Sequence, residues 1–215
     1  MPKRRSAAPG DWSVAYTRTV AANIRRQREQ ARLTVQGLAD RCTALGYPLE
    51  RTNLYKLESG GRASMSVAEL LVLARALDTP PMLLLVPLTR DEPLEILPGV
   101  VAPATEAAAW LDGTAPAPDA EDTEAGAGER AALRLLRDHH AAVSEWTARS
   151  SAARQSHERA HDDRDPHRRA WQEAARQHTD HAAHAADRVA HLRAALRLRG
   201  LPTPALPPGL IHLDG

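Results

Sequence analysis

Arg51, Thr52, Asn53 and Lys56 stand in one short segment, Glu50 to Ser59, whose spacing predicts a helix with Leu54 and Leu57 turned inward. Arginine can bond guanine with two parallel hydrogen bonds, and asparagine can do the same to adenine. Threonine can meet a thymine methyl or a phosphate, and lysine a phosphate or guanine. The set therefore suits the edges and backbone of duplex DNA. An ordinary solvated polar face is the other reading of the same residues. Ten histidines raise a different chemistry, since His178, His181 and His184 recur every three residues. That spacing drifts around a helix and lacks an acidic or cysteine partner, so no metal site is expected, and solvated or packed histidines are. The one cysteine, Cys42, excludes an intramolecular disulfide and a cysteine-based zinc site, and its apolar neighbours make it a small core residue. There is no glycine-rich phosphate loop, nucleophile elbow or HExxH, so neither an enzyme nor a cofactor is expected.

Several short elements surround that segment. Trp12 to Ala31 has helical periodicity, with Val20, Ile24 and Ala31 on one face. Thr34 can cap a second helix running to about Ala44, with Leu38, Ala39 and Cys42 inward. Gly46-Tyr47-Pro48 is a turn, and Gly60-Gly61 stops the third helix. Ser66 and Glu69 have capping-box spacing at the head of a fourth helix, Val67 to Leu77. A short fifth helix holds Met82 to Leu85 and ends at Pro87. The acidic, Pro/Ala/Gly-rich stretch 91–128 reads as an irregular linker with one short helix, Thr105 to Leu111, whose Trp110 can dock on a neighbour. Helical spacing returns from 129 to 199. Leu136, His139, Val143, Trp146, Ser150 and Ala153 form one seam; Trp171, Ala175, His178, Ala182, Ala185, Val189, Leu192 and Leu196 form a second. Pro166 suits the first turn of a new helix. Two antiparallel helices or one bent helix both fit. Residues 1–12 read as a basic tail and 200–215 as an irregular one.

Charge is uneven although the net value is +1. Residues 1–64 carry twelve Lys/Arg against five Asp/Glu, residues 65–128 two against eleven, and residues 129–215 fourteen against eleven. The first third has the balance of a phosphate binder. Aromatics are 3% and Phe is absent, which argues against a large β core, while Ala, Leu, Arg, Glu and Gln favour helix. The longest apolar stretch, Met82 to Val86, is far too short to span a bilayer, and no apolar run follows the basic N-terminus. A cytoplasmic location is expected, with no membrane association.

Three blocks then occur in order: Leu33-Thr34-Val35-Gln36-Gly37-Leu38-Ala39; Leu54-Tyr55-Lys56-Leu57-Glu58-Ser59-Gly60; and Ser66-x-x-Glu69-Leu70-x-x-Leu73-Ala74-Arg75-Ala76-Leu77. Together they resemble the phage-repressor/Cro, or XRE-type, helix-turn-helix regulators over about residues 15–88. The resemblance implies a five-helix DNA-binding domain, here 13–90, in which the second helix supports the third, the reader. It turns Arg51, Thr52, Asn53 and Lys56 toward bases and phosphates. Thr34, Gln36 and Arg62 are further candidate DNA contacts. Arg28 and Glu58 match a family ion pair that holds the reading helix, a structural role. Three features depart from the pattern. The turn Ala44-Leu45-Gly46-Tyr47-Pro48 is longer, Glu50 stands where a better cap is usual, and Val35 occupies a position often held by a phosphate-contacting Gln. Arg outnumbers Lys 26 to 2, the bias of a GC-rich bacterial genome.

The expectation is an all-α chain that regulates transcription by reading double-stranded DNA, as a homodimer or with a protein partner on its C-terminal hairpin. The rival expectation is an interaction protein, antitoxin-like, whose main role lies in that hairpin.

Overall fold

The computed structural model describes residues 9–88, 92–162 and 164–214. The chain is mostly helical and divides into two compact units, residues 1–122 and 123–215.

The first unit opens on α1 (Pro9–Gln30), followed by α2 (Val35–Ala44), α3 (Arg51–Glu58), α4 (Val67–Ala76) and α5 (Pro81–Leu85). Helix α1 begins inside the stretch read as a basic tail, because proline is accepted at the first helical position. The tail's Lys3, Arg4 and Arg5 lie outside the described residues. Local chemistry sets the other boundaries. The Thr34 hydroxyl accepts the Gly37 N–H at 3.0 Å, and the Ser66 hydroxyl accepts the Glu69 N–H at 3.1 Å. Pro81 occupies the first turn of α5. Apolar residues at helical spacing meet in one core: Val20, Ala21 and Ile24 from α1, Leu38, Ala39 and Cys42 from α2, Leu54 and Leu57 from α3, Leu70, Leu73 and Ala74 from α4, and Leu84 from α5. Buried Asn23 closes the α1–α5 contact by donating from Nδ2 to the Leu84 carbonyl at 2.9 Å.

The region read as an irregular linker is more structured than expected. Strands β1 (Leu94–Leu97) and β2 (Val100–Ala102) form an antiparallel hairpin pairing Leu94 with Ala102 and Leu97 with Val100, and α6 (Ala104–Leu111) follows. Two short apolar runs flank Pro98-Gly99, and Gly99 supplies the positive φ of 77° the turn requires. The Glu95 carboxylate accepts the Gly99 N–H at 2.8 Å, while the Glu95 carbonyl accepts the Trp12 indole N–H at 3.0 Å. A pair of strands alone cannot bury its apolar face, so the hairpin depends on cover from other elements. Ile96, Ala102, Ala104, Ala107 and Ala108 find that cover in Val86, Tyr16, Met82 and Trp110.

The second unit is an antiparallel pair, α7 (Glu124–Ala160) and α8 (Arg168–Leu198), with a 3-10 helix over Pro208–Asp214. Helix α7 starts at Glu124, within the expected linker. Thr123 caps it by accepting the Gly126 N–H at 3.1 Å, offsetting the low helix propensity of Gly126 and Gly128. Pro166 precedes α8 instead of entering it. Asp165 Oδ1 accepts the His167 N–H at 2.7 Å, and Asp165 Oδ2 accepts the Trp171 indole N–H at 2.9 Å. The buried seam combines small residues, Ala142, Ala153, Ser156 and Ala160 on α7 and Ala175, Ala182, Ala185 and Val189 on α8, with three large ones, His139, Arg193 and Leu196. Arg188 bridges to Glu145 at 2.7 Å, and the Arg159 guanidinium sits 4.5 Å from the Trp171 ring centroid. The C-terminal segment is not an irregular tail. Leu210 is buried with Ala142 and Val189, and a Cβ on Gly209 would come within 2.5 Å of the Trp146 ring. Among the described residues no helix is long and apolar enough to cross a membrane.

Candidate nucleic-acid interface

Helix α3 has one face in the core and one in solvent. Leu54 and Leu57 are fully buried, whereas Arg51, Thr52, Asn53 and Lys56 are all exposed. Tyr55 joins them at 63% exposure. It was not singled out from the sequence. The signal was available, because a position between two inward leucines on a helix faces outward. Its ring and hydroxyl add an amphipathic contact beside Lys56.

The turn into α3 is a six-residue connection, Leu45 to Glu50, pinned by buried Leu49 and by Gly46 at φ 84°. Glu50 is the N-cap residue but makes no side-chain cap; its carboxylate instead accepts the Thr52 hydroxyl at 3.2 Å. At the far end, Gly60 adopts φ 75°, and the Gly61 N–H returns to the Lys56 carbonyl at 2.8 Å.

Arg28 sets the pose of the helix. Its Nε and Nη2 donate to the two carboxylate oxygens of Glu58, both at 2.8 Å, and its Nη1 donates to the Leu33 carbonyl at 2.7 Å. The Glu58 side chain is 5% exposed. One arginine thus ties the end of α3 to α1 and to the approach to α2. The Glu58 hydrogen bond is the main reason the Arg28 pKa lies above its ordinary value.

Arg62 is placed differently from the expectation. It forms a bidentate ion pair with Glu69, through Nη1 to Oε1 and through Nη2 to Oε2 at 2.8 Å. Glu69 is 3% exposed, and a carboxylate buried that deeply requires a charged partner. Arg62 therefore serves the α3–α4 connection first. Glu69 is also diverted from the reciprocal half of a capping box, leaving Ser66 to cap alone.

Two expected contacts lie at the head of α2. Gln36 is exposed and donates to the Asp40 carboxylate at 2.7 Å. Thr34 uses its oxygen as the cap acceptor, which leaves its hydroxyl proton available to an anion. The first-turn N–H groups of α2 add a partial positive charge there.

The histidines show no comparable convergence. Among the described residues no three His, Cys, Asp or Glu side chains are grouped to hold a metal ion. His181 is exposed, His178 is half-buried, and His184 Nδ1 lies 2.7 Å from the Asp180 carbonyl. Cys42 is fully buried, and burial, followed by the charge of Glu69, pushes its thiol pKa up, away from a reactive thiolate.

Compared with known proteins, the chain matches no family model, no curated protein and no solved structure. The functional reading therefore rests on the residues themselves.

Proposed function

We propose that this chain is a sequence-specific DNA-binding regulator of transcription that reads the major groove with α3. The carrying observation is the exposed row Arg51, Thr52, Asn53 and Lys56 on a helix whose other face is locked by Leu54, Leu57 and the Arg28–Glu58 pair. Eight residues at a 1.5 Å rise make α3 about 12 Å long, a length that the major groove accepts end to end. Arg51 and Asn53 read base edges, and Thr52 and Lys56 meet phosphate or base edges. Thr34, Gln36 and the amino end of α2 hold the flanking backbone. The basic charge of the first 64 residues supports the same reading.

Selection of binding sites from a random duplex pool, followed by titration at several salt concentrations, tests the proposal. One enriched motif and a steep fall of log K with log salt are expected. A chain that binds no duplex at low salt overturns it. The interaction-protein role, carried by the C-terminal helix pair, would then stand in its place.

A further inference from the structure

The second unit holds a buried polar cluster that DNA reading does not use. His139 of α7 and Arg193 of α8 are each 1% exposed. His139 Nε2 and Arg193 Nε are buried with no hydrogen-bond partner among the described residues. The rest of the Arg193 guanidinium belongs to the C-terminal segment. Its Nη1 donates to the Pro204 carbonyl at 2.7 Å, and its Nη2 pairs with the Asp214 carboxylate. Arg197 adds a bond to the Asp214 carbonyl at 3.2 Å. Between these two anchors, Leu210 packs on Ala142 and Val189, and Gly209 lies against Trp146.

We propose that residues 203–214 form an acid-released cover, closed over the helix pair while His139 is neutral and freed when His139 takes up a proton. The reason is local charge. A neutral imidazole can share a dry site with the Arg193 cation, but an imidazolium there would set two buried positive charges side by side with one carboxylate, Asp214, held between arginine and tail. The groups that act on His139 are Arg193 from α8 and His140 on its own helix, and both disfavour its charge; Asp214 of the 3-10 helix pairs with Arg193. Burial first, then Arg193, then His140, hold the His139 pKa below the ordinary histidine value. A lowered histidine pKa makes the closed state fully stable above the ordinary histidine range. That stability is lost as pH falls from there toward the closed-state value. Release would bare apolar surface of the cluster that packs around Leu210, Trp146, Val143 and Leu192 among it.

Hydrogen exchange of the full chain, read peptide by peptide at about pH 7.5 and about pH 5.5 and corrected for intrinsic rates, tests the cover in a window above ordinary carboxylate titration. Protection of 203–214 should fall several-fold, up to about tenfold for one histidine, at the lower pH while α7 and α8 stay protected, and His139→Gln should abolish that fall. Equal protection at both pH values, or a fall that survives in His139→Gln, overturns the proposal. Should His139→Gln lose its helix content, Leu210→Ala in the full chain gives an independent reading. It loosens the cover without changing a charge, so the His139 pKa measured by NMR should rise toward about 6.5. An unchanged value would sink the coupling.

Discussion

The guanidinium of Arg28 grips both carboxylate oxygens of Glu58 at 2.8 Å across thirty positions of sequence, and so ties the last residue of α3 to the helix that opens the domain. Both side chains are largely withdrawn from water. Removing either one strands the other's charge, which costs about 3–5 kcal/mol for a buried pair. Arg28→Ala and Glu58→Ala should each lower the melting temperature of the first unit. The double variant should lose much less than their sum in a denaturation cycle. Additive losses would mean that the two groups do not support each other in solution.

On the proposed reading, base contact and helix support are separable at α3. Arg51→Ala and Asn53→Ala should leave the melting temperature nearly unchanged, because both side chains are exposed. Each should weaken binding to the selected site by about 1–3 kcal/mol and binding to random duplex far less. Arg62→Ala should show the opposite pattern, a loss of stability through Glu69, since it leaves a buried carboxylate unpaired. Titrations on specific and random duplexes, beside thermal melts, distinguish the two patterns.

Alkali should weaken the first unit through Tyr16. Its ring stacks on Trp12 with centroids 5.5 Å apart, its hydroxyl donates to the Leu85 carbonyl at 3.1 Å, and burial pushes its pKa up to about 12. A raised tyrosine pKa means that the folded state holds the neutral phenol. The associated stability is complete below about pH 10, the unfolded value, and is lost as pH rises toward about 12. Tyr16→Phe should cost about 1 kcal/mol at neutral pH and flatten that alkaline limb in denaturant melts. An identical limb in the variant would assign it to other groups.

A single recognition helix covers few base pairs, so the working form should be a symmetric dimer with two such helices about one helical turn apart. The pair α7–α8 is the favoured contributor, with its long run of helical repeats. Removing residues 123–215 should leave the first unit folded by circular dichroism yet weaken binding to a palindromic site. Sedimentation of the full chain should show a dimer at about micromolar concentration. A full chain that is monomeric both free and on its site would reassign the helix pair to another protein.

Much of the α3 surface was legible in the sequence because it depends on local rules. Helical spacing around Leu54 and Leu57, the Thr34 and Ser66 caps and the Gly60-Gly61 stop each lie within a few residues of what they determine. The exposure of Arg51, Asn53 and Lys56 follows from the same spacing. Tyr55 was readable by that rule too.

Sequence alone determined the mostly helical class, the caps of α2 and α4, the short fifth helix at Pro81 and the alanine-rich character of the second unit. Only the tertiary structure decided what depends on a distant partner. Leu94–Leu97 and Val100–Ala102 form strands because Val86 and Tyr16 bury Ile96 and Trp12 bonds the Glu95 carbonyl. Arg62 is an anchor because Glu69 is buried beside it, and the prolines after Gly200 lead into an ordered cover because Arg193 and Trp146 lie where that segment returns. Spacing along the chain sets which face of a helix is apolar. It does not say which distant charge or ring will meet it, and burial, which makes a lone charge costly and a paired one stable, is settled only when those partners pack.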